Sequence, residues 1–423
     1  MAAHQNNSIS PAEPSLLQYN HIPEDQEIAA FVHENQSLLS PVGIIPSQKG
    51  DGTTRILYEN LNGLSSQISG NHKLTKSMGI IDDMAVDIFA FSEHKINFAH
   101  RDNKRQGLAK LFNGGETLTH AVGGNITHPV ARTLGKRMEG GTGMVAYGEM
   151  ASMFRADLSG MDSTGLARWS YMTFSGREGH ITTVLVGYNP CRTSTGQHST
   201  SYQLQRAYWT MKKQDTTCPR RKFSEDLVNL LTTWRQEGRR LVICLDANDN
   251  VYSGHLGRAL TSHPDLDLRE TMLTTTGSPL TATHFRGSRP IDAIWTTPDV
   301  EVLNICAMPI GYGVGDHSAF FLDISTRSIV GLHPQAIKRP TARRLNTKIP
   351  RCSETYISLL EPQLSYHRII PKLSQIHKET HSTTELQRKL DSIDRTTAQL
   401  MHRGIAENSS PAGSLSLLKP PCG

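Results

Sequence analysis

Nine polar residues fall at or just past the ends of short apolar runs, and their types suit one reaction. Asn60 and Asn62 follow RILY, Glu93 follows DIFAFS, and Tyr188 follows ITTVLVG. Asp246 and Asn248 follow RLVICL, Asp292 lies inside RPIDAIW, and Asp316 and His317 stand just before SAFFLDI. Catalytic groups of α/β proteins collect at strand ends and the loops beyond them. One such residue alone is usually a cap or turn former; a complementary set in one chain points to a site. A hard cation such as magnesium takes oxygen ligands and needs only one or two carboxylates. Glu93 offers a carboxylate and Asn62 a neutral oxygen. An Asp near His or Asn donors can align and deprotonate water. Asn248 and His317 can donate to charged phosphate oxygens, and Asp292 can fix the tautomer of His317. The chemistry implied is cation-assisted hydrolysis of a phosphate ester.

Those residues need strands to carry them. Short runs rich in β-formers recur at 55–61, 87–93, 143–148, 168–174, 181–188, 240–247, 291–297, 300–308 and 317–324, most of them bounded by Gly, Asn, Asp or Pro. Helical spacing predicts helices over Leu74–Met84, Ser201–Lys213 and Phe223–Arg235. The last is the clearest, with Phe223, Leu227, Leu230, Leu231 and Trp234 in phase behind Pro219. Strands apolar on both faces imply sheets covered on both sides, and the interleaving of strands and helices implies an α/β sandwich. The Gly- and Asn-rich stretch His100–Gly140 reads as a long surface insertion. Residues 1–52, rich in Ser, Pro, Gln, Asn and Gly, read as disordered. Beyond Ser325 the pattern becomes basic and helical, over Thr355–Leu364 and Glu385–Met401, with an unstructured end.

Charge divides the same way. From Ser325 onward there are 15 Lys and Arg against 7 Asp and Glu, while the earlier part holds 29 against 32. The stretch 335–351 carries six bases and no acid, which suits a polyanion. None of the six cysteines forms a CxxC pair. Cys244 and Cys306 sit in apolar runs, so a reduced, intracellular setting is expected. No apolar run approaches the ~20 residues of a membrane span, and the N-terminus shows no secretory signal.

The blocks YENLNGL, FSEHK, GYNP, LDAND, RPIDAIW and GDHSAFF, in this order, resemble the endonuclease/exonuclease/phosphatase superfamily, the fold of abasic-site repair endonucleases and DNase I. The resemblance covers roughly residues 53–325. NLNGL looks most like the endonuclease domain of non-LTR retrotransposons, and the basic segment that follows resembles the linker to a reverse transcriptase. The resemblance implies a four-layer α/β sandwich, DNase I-like, with two packed mixed β-sheets flanked by helices, plus a helical C-terminal extension over 326–423. It also implies Mg²⁺, or Mn²⁺, bound by Glu93 and Asn62 with Asp316 beside the metal. Asn60 would orient Asp246, which would activate water. Asn248, Tyr188 and His317 would meet the phosphate, with Asp292 orienting His317.

Two departures from the repair enzymes stand out. Asn62 occupies a position where those enzymes more often carry Asp, and Tyr188 is followed by Asn189-Pro190-Cys191 rather than Pro-Asn. Arg192, His284 and Arg286 are candidate substrate contacts. Strand alternation turns His94 away from Glu93; Asp82 and Asp83 read as a solvated helix face, and Gly140–Gly143 as a turn. The activity expected is a nick in one DNA strand within the nucleus, with a reverse transcriptase domain or element RNA as further partners. No paired Asp-Asp stands in a strand–turn setting, so no polymerase motif is seen, and the PPCG ending fits a truncated element. The alternatives are a phosphomonoesterase acting on a soluble phosphate such as an inositol phosphate, and a catalytically inactive nucleic-acid-binding module.

Overall fold

The computed structural model describes residues 40–46, 48–64, 71–100, 107–113, 117–127, 137–176, 179–192, 200–213, 218–331, 350–378 and 383–408. The chain divides into two compact units between Ala336 and Ile337. The N-terminal stretch 1–39, most of the basic segment (332–349) and the end of the chain from 409 lie outside the described residues.

Two mixed sheets form the first unit. One has the order β1-β12-β13-β2-β3-β5-β4, built from β1 (Val42–Gly43), β2 (Thr53–Asn60), β3 (Ile88–Ser92), β4 (Thr119–Gly124), β5 (Thr142–Tyr147), β12 (Val302–Ala307) and β13 (Phe320–Ser325). The other has the order β10-β11-β9-β8-β7-β6, built from β6 (Gly160–Met161), β7 (Trp169–Ser175), β8 (Ile181–Tyr188), β9 (Arg240–Asp246), β10 (Arg269–Glu270) and β11 (Asp292–Thr296). Each sheet has one parallel pair, β2 with β3 and β8 with β9; all other pairs are antiparallel.

The two-residue period of strands sorts the side chains into layers. Ile56 and Tyr58 of β2, Ile88 and Ala90 of β3 and Met144 of β5 join Met172 and Phe174 of β7 and Val184 and Val186 of β8 in one core. Leu57, Phe89, Phe91, Val145 and Phe321 point the other way and pack on Leu74 and Ile81 of helix α1 (His72–Asp83). Short helices α2 (Leu108–Leu111) and α3 (Gly148–Ser152) follow, then α4 (Ser201–Met211). Helix α5 (Pro219–Gln236) starts with Pro at its first turn and buries Phe223, Leu227, Leu231 and Trp234 beside β8 and β9. Helix, sheet, sheet, helix is the four-layer sandwich expected. Helices α6 (His255–Thr261), α7 (Thr271–Thr276) and α8 (Thr326–Val330) complete the unit.

Four differences from the sequence reading stand out. Part of 100–140 belongs to the fold: β4 closes the edge of the first sheet beside β5, and Leu108, Leu111 and Phe112 are buried. Gly123 and Gly124 had masked that strand. Val42–Gly43 pairs with Cys306–Ala307, upstream of the expected start of the domain. At the other end α8 buries Ile329 and Val330, and Thr182 Oγ1 donates to the Ile329 carbonyl at 2.6 Å, so the unit runs past Ser325. In the second unit, α9 (Pro350–Tyr366), α10 (Ile369–Lys378) and α11 (Thr383–Asn408) pack around Ile369, Ile393 and Leu400. The helix α10 was not expected. Among the described residues no helix is long and apolar enough to cross a membrane.

Candidate functional site

The parallel pairs explain where the polar residues meet. Asn60 ends β2 opposite Ser92, so Glu93 emerges beside it. Tyr188 ends β8 directly opposite Asp246 of β9, and Asp292 opens β11 opposite the same Asp246. His317 enters from the loop before β13, the strand antiparallel to β2. Strand ends from both sheets therefore converge.

Asn60 is the junction. Its amide nitrogen donates to Asp246 Oδ2 at 2.8 Å and to Glu93 Oε1 at 3.3 Å, and lies 3.5 Å from His317 Nε2. Its amide oxygen accepts from the Asn62 backbone at 2.9 Å. His317 Nδ1 lies 2.7 Å from Asp292 Oδ2, which also accepts from Thr283 Oγ1 at 2.7 Å, while Tyr58 donates to Asp292 Oδ1 at 3.4 Å. Burial alone would lower the imidazole, but Asp292, then Asp246 and Asp316, hold it protonated up to about 10. Asp246 moves far upward, through burial and then the charge of Asp292, with His317 opposing. Burial also pushes up the Asp316 carboxyl, but a hydrogen bond from His284 and the charges of both imidazoles bring it down to about 2.

Glu93 and Asp316 flank a second cluster. Lys95 Nζ stands 3.0 Å from Glu93 Oε2, 2.7 Å from Asn62 Oδ1 and 3.3 Å from Glu139 Oε2. Asn62 Nδ2 donates to Asp316 Oδ2 at 3.0 Å, and His284 Nε2 approaches the same oxygen at 3.4 Å. The His284 ring meets His317 edge-on, with centroids 4.8 Å apart. Nine non-glycine residues among those described have positive φ; Asn62, Glu93, Lys95 and Asn248 are four of them. Such strain, of order 1–3 kcal/mol each, concentrates where side chains must be aimed.

The sequence-derived candidates separate here. Asn60, Asn62, Glu93, Asp246, Asp292, Asp316 and His317 meet in this network, and Tyr188 hydrogen-bonds Glu93 with its phenol kept protonated by burial and by the Glu93 and Asp246 charges. Asn248 folds back: its backbone donates to Asp246 Oδ1 at 3.0 Å and its amide nitrogen to the Asn189 carbonyl at 2.8 Å. His284 belongs to the cluster. Arg286 is exposed and covers the Phe285 ring, 4.7 Å from its centroid, and Arg192 is exposed near Tyr202 and Cys218. His94 is buried, with Nε2 2.9 Å from the Gly124 carbonyl, away from the cluster as alternation required. Of Gly140–Gly143, read as a turn, Thr142 and Gly143 belong to β5 and only Gly140 and Gly141, both at positive φ, precede it; Asp82 and Asp83 are exposed on α1. Sequence reasoning missed Lys95, Thr283 and Tyr58. Lys95 had a signal, two residues beyond Glu93; Thr283 had none that was local.

The donors fit a hard cation. Asp316 Oδ1 is buried and has no hydrogen-bond partner among the described residues, although the group is anionic at neutral pH. Glu93 is linked to Asp316 through Lys95 and Asn62 and already faces a cation in Lys95. Among the described residues, two His/Asp groups have ligand-capable atoms gathered within 4.8 Å: His284, Asp316 and His317, and Asp246, Asp292 and His317.

No family model and no curated protein matches this chain. Solved structures of similar chain path include the human Nocturnin catalytic domain, 15% identical, with 68% of this chain and 97% of that one covered and a TM-score of 0.45. The AP endonuclease LMAP from Leishmania major is 13% identical, with 73% and 99% covered and a TM-score of 0.47. An endonuclease/exonuclease/phosphatase from Bacteroides vulgatus is 15% identical, with 64% and 98% covered and a TM-score of 0.39.

Proposed function

We propose that this protein is a metal-dependent phosphodiesterase that nicks one strand of DNA. The observation that carries the reading is the Asn60 amide, which ties Glu93 of one sheet to Asp246 of the other beside His317. Around it two aspartates are driven in opposite directions, Asp246 up and Asp316 down to about 2. Carboxyl groups whose surroundings separate their proton affinities divide the labour of acid–base catalysis.

Glu93 and Asp316, with Asn62 as a neutral neighbour, would hold Mg²⁺ or Mn²⁺, which neutralises charge on the phosphate. Asp246, oriented by the Asn60 amide and the Asn248 backbone, is placed to accept a proton from the attacking water. His317, held cationic by Asp292, donates to a phosphate oxygen. Tyr188, a protonated phenol beside Glu93, donates toward the leaving oxygen. The NLNGL block and the basic stretch 335–351 favour DNA in a retrotransposon-like setting, in the nucleus, where a 3′-hydroxyl would serve a reverse transcriptase and its RNA.

Supercoiled plasmid incubated with Mg²⁺ tests this, with Asp246→Ala and His317→Ala as controls. Nicking should appear, vanish with chelator and be lost in both variants. DNA binding without nicking would identify a binding module, and phosphate release from inositol phosphates without nicking would identify a phosphomonoesterase.

A further inference from the structure

Besides Glu93 after β3, two irregular segments shape the proposed cation site: the stretch after β2 bears its neutral neighbour Asn62, and the loop between β12 and β13 bears the ligand Asp316. Backbone bonds tie each to a different neighbour, Gly63 to the Glu93 carbonyl at 2.7 Å and Phe285 to the Asp316 carbonyl at 3.1 Å, and Asn62 and Asp316 meet at 3.0 Å. Helix α1 holds both. Lys73 Nζ donates to the carbonyls of Leu61 at 2.9 Å and Asn62 at 3.1 Å. Lys76 Nζ donates to the carbonyls of Gly311 at 2.9 Å and Gly313 at 2.7 Å. Residues three apart share a helix face, so one rigid element grips both segments.

A buried carboxylate completes the grip. Glu59, next to last in β2 and 1% exposed, accepts from the Val314 backbone at 3.1 Å and from Ser77 of α1 at 3.5 Å. The loop runs so close to β2 that a Cβ on Gly313 would collide with the Glu59 carboxylate, and one on Gly315 with the Asn60 carbonyl. Burying an acid and fixing two lysines costs desolvation and side-chain entropy. That cost is spent on backbone carbonyls and one amide of the ligand-bearing segments.

We propose that Lys73, Lys76 and Glu59 are positioning residues that set the spacing of Asn62 and Asp316, and thereby the affinity of the site for a divalent cation. The proposal rests on the reading of Glu93, Asn62 and Asp316 as a cation site. The lysines act through the backbone and touch neither substrate nor cation.

Lys76→Met keeps the stem and removes the donors. Mn²⁺ titration of the full chain, read by electron paramagnetic resonance, should show affinity weakened about tenfold, as for other losses of ligand-orienting partners. Lys76→Arg should restore most of it, and the exposed Lys110→Met should change nothing. Exchange of the Val314 amide, measured without metal, should quicken in Lys76→Met. A lower melting temperature with unchanged Mn²⁺ affinity would make the lysine merely structural and overturn the proposal, as would unchanged Val314 exchange. Absence of Mn²⁺ binding by the unaltered protein overturns instead the cation-site reading, and the exchange measurement still shows whether Lys76 holds the loop.

Discussion

The Lys95 ammonium lies 3.0 Å from a Glu93 carboxylate oxygen, so the proposed cation site already holds a positive charge. At such distances one charge is worth up to a few kcal/mol even at an effective dielectric near 20. Lys95→Met should therefore tighten Mn²⁺ binding by about tenfold, a conservative fraction of that figure. Isothermal titration at low salt reads this directly. Unchanged affinity would mean that the ammonium leaves when the cation arrives.

The His317–Asp292 pair should set the alkaline limit of activity. His317 owes its displacement to about 10 mainly to Asp292. In Asp292→Asn the proton should leave at lower pH, toward the ordinary value of about 6.5. The alkaline limb of the kcat/KM profile should move down accordingly. A limb that stays in place would assign it to another group. The folding side has the same sign: a raised histidine contributes stability fully below its unfolded value, and that contribution is lost as pH rises through about 10.

His94 predicts acid sensitivity of the fold. Burial lowers it to about 4, and Nδ1 accepts from the Ile96 backbone while Nε2 lies 2.9 Å from the Gly124 carbonyl. Between that value and about 6.5 the unfolded chain binds a proton that the folded chain refuses. Stability should be complete above that window and fall by roughly 3 kcal/mol across it. Urea unfolding at several pH values checks this. The slope should flatten in His94→Gln; an unchanged slope would place the acid sensitivity elsewhere.

His284 offers a test of the low Asp316 carboxyl. Its hydrogen bond is the largest influence holding that group down near 2. His284→Ala should raise the Asp316 value and weaken Mn²⁺ binding between about pH 3 and 5, with little effect at neutral pH. Equal loss at every pH would instead point to direct ligation by the imidazole.

The core makes a separate prediction. Leu227 is fully buried between α5 and the second sheet. Leu227→Ala should cost about 2–5 kcal/mol in chemical denaturation. Mn²⁺ affinity of the folded fraction should be preserved, which separates fold from site.

The sequence alone determined what is local. The two-residue period placed Ile56 and Tyr58 on one face and Leu57 on the other, and the helical period placed Phe223, Leu227, Leu231 and Trp234 on one stripe. Polar types at strand ends were likewise visible, because a strand end is a local event. Tertiary structure alone decided which ends meet. Tyr188, Asp246 and Asp292 become neighbours only through ladder registers between strands distant in sequence. β4 was hidden by its glycines and declared itself only through pairing with β5. The opposite displacement of Asp246 and Asp316 is likewise invisible in composition, since burial and neighbouring charge set it, and both arise when the two sheets close on each other.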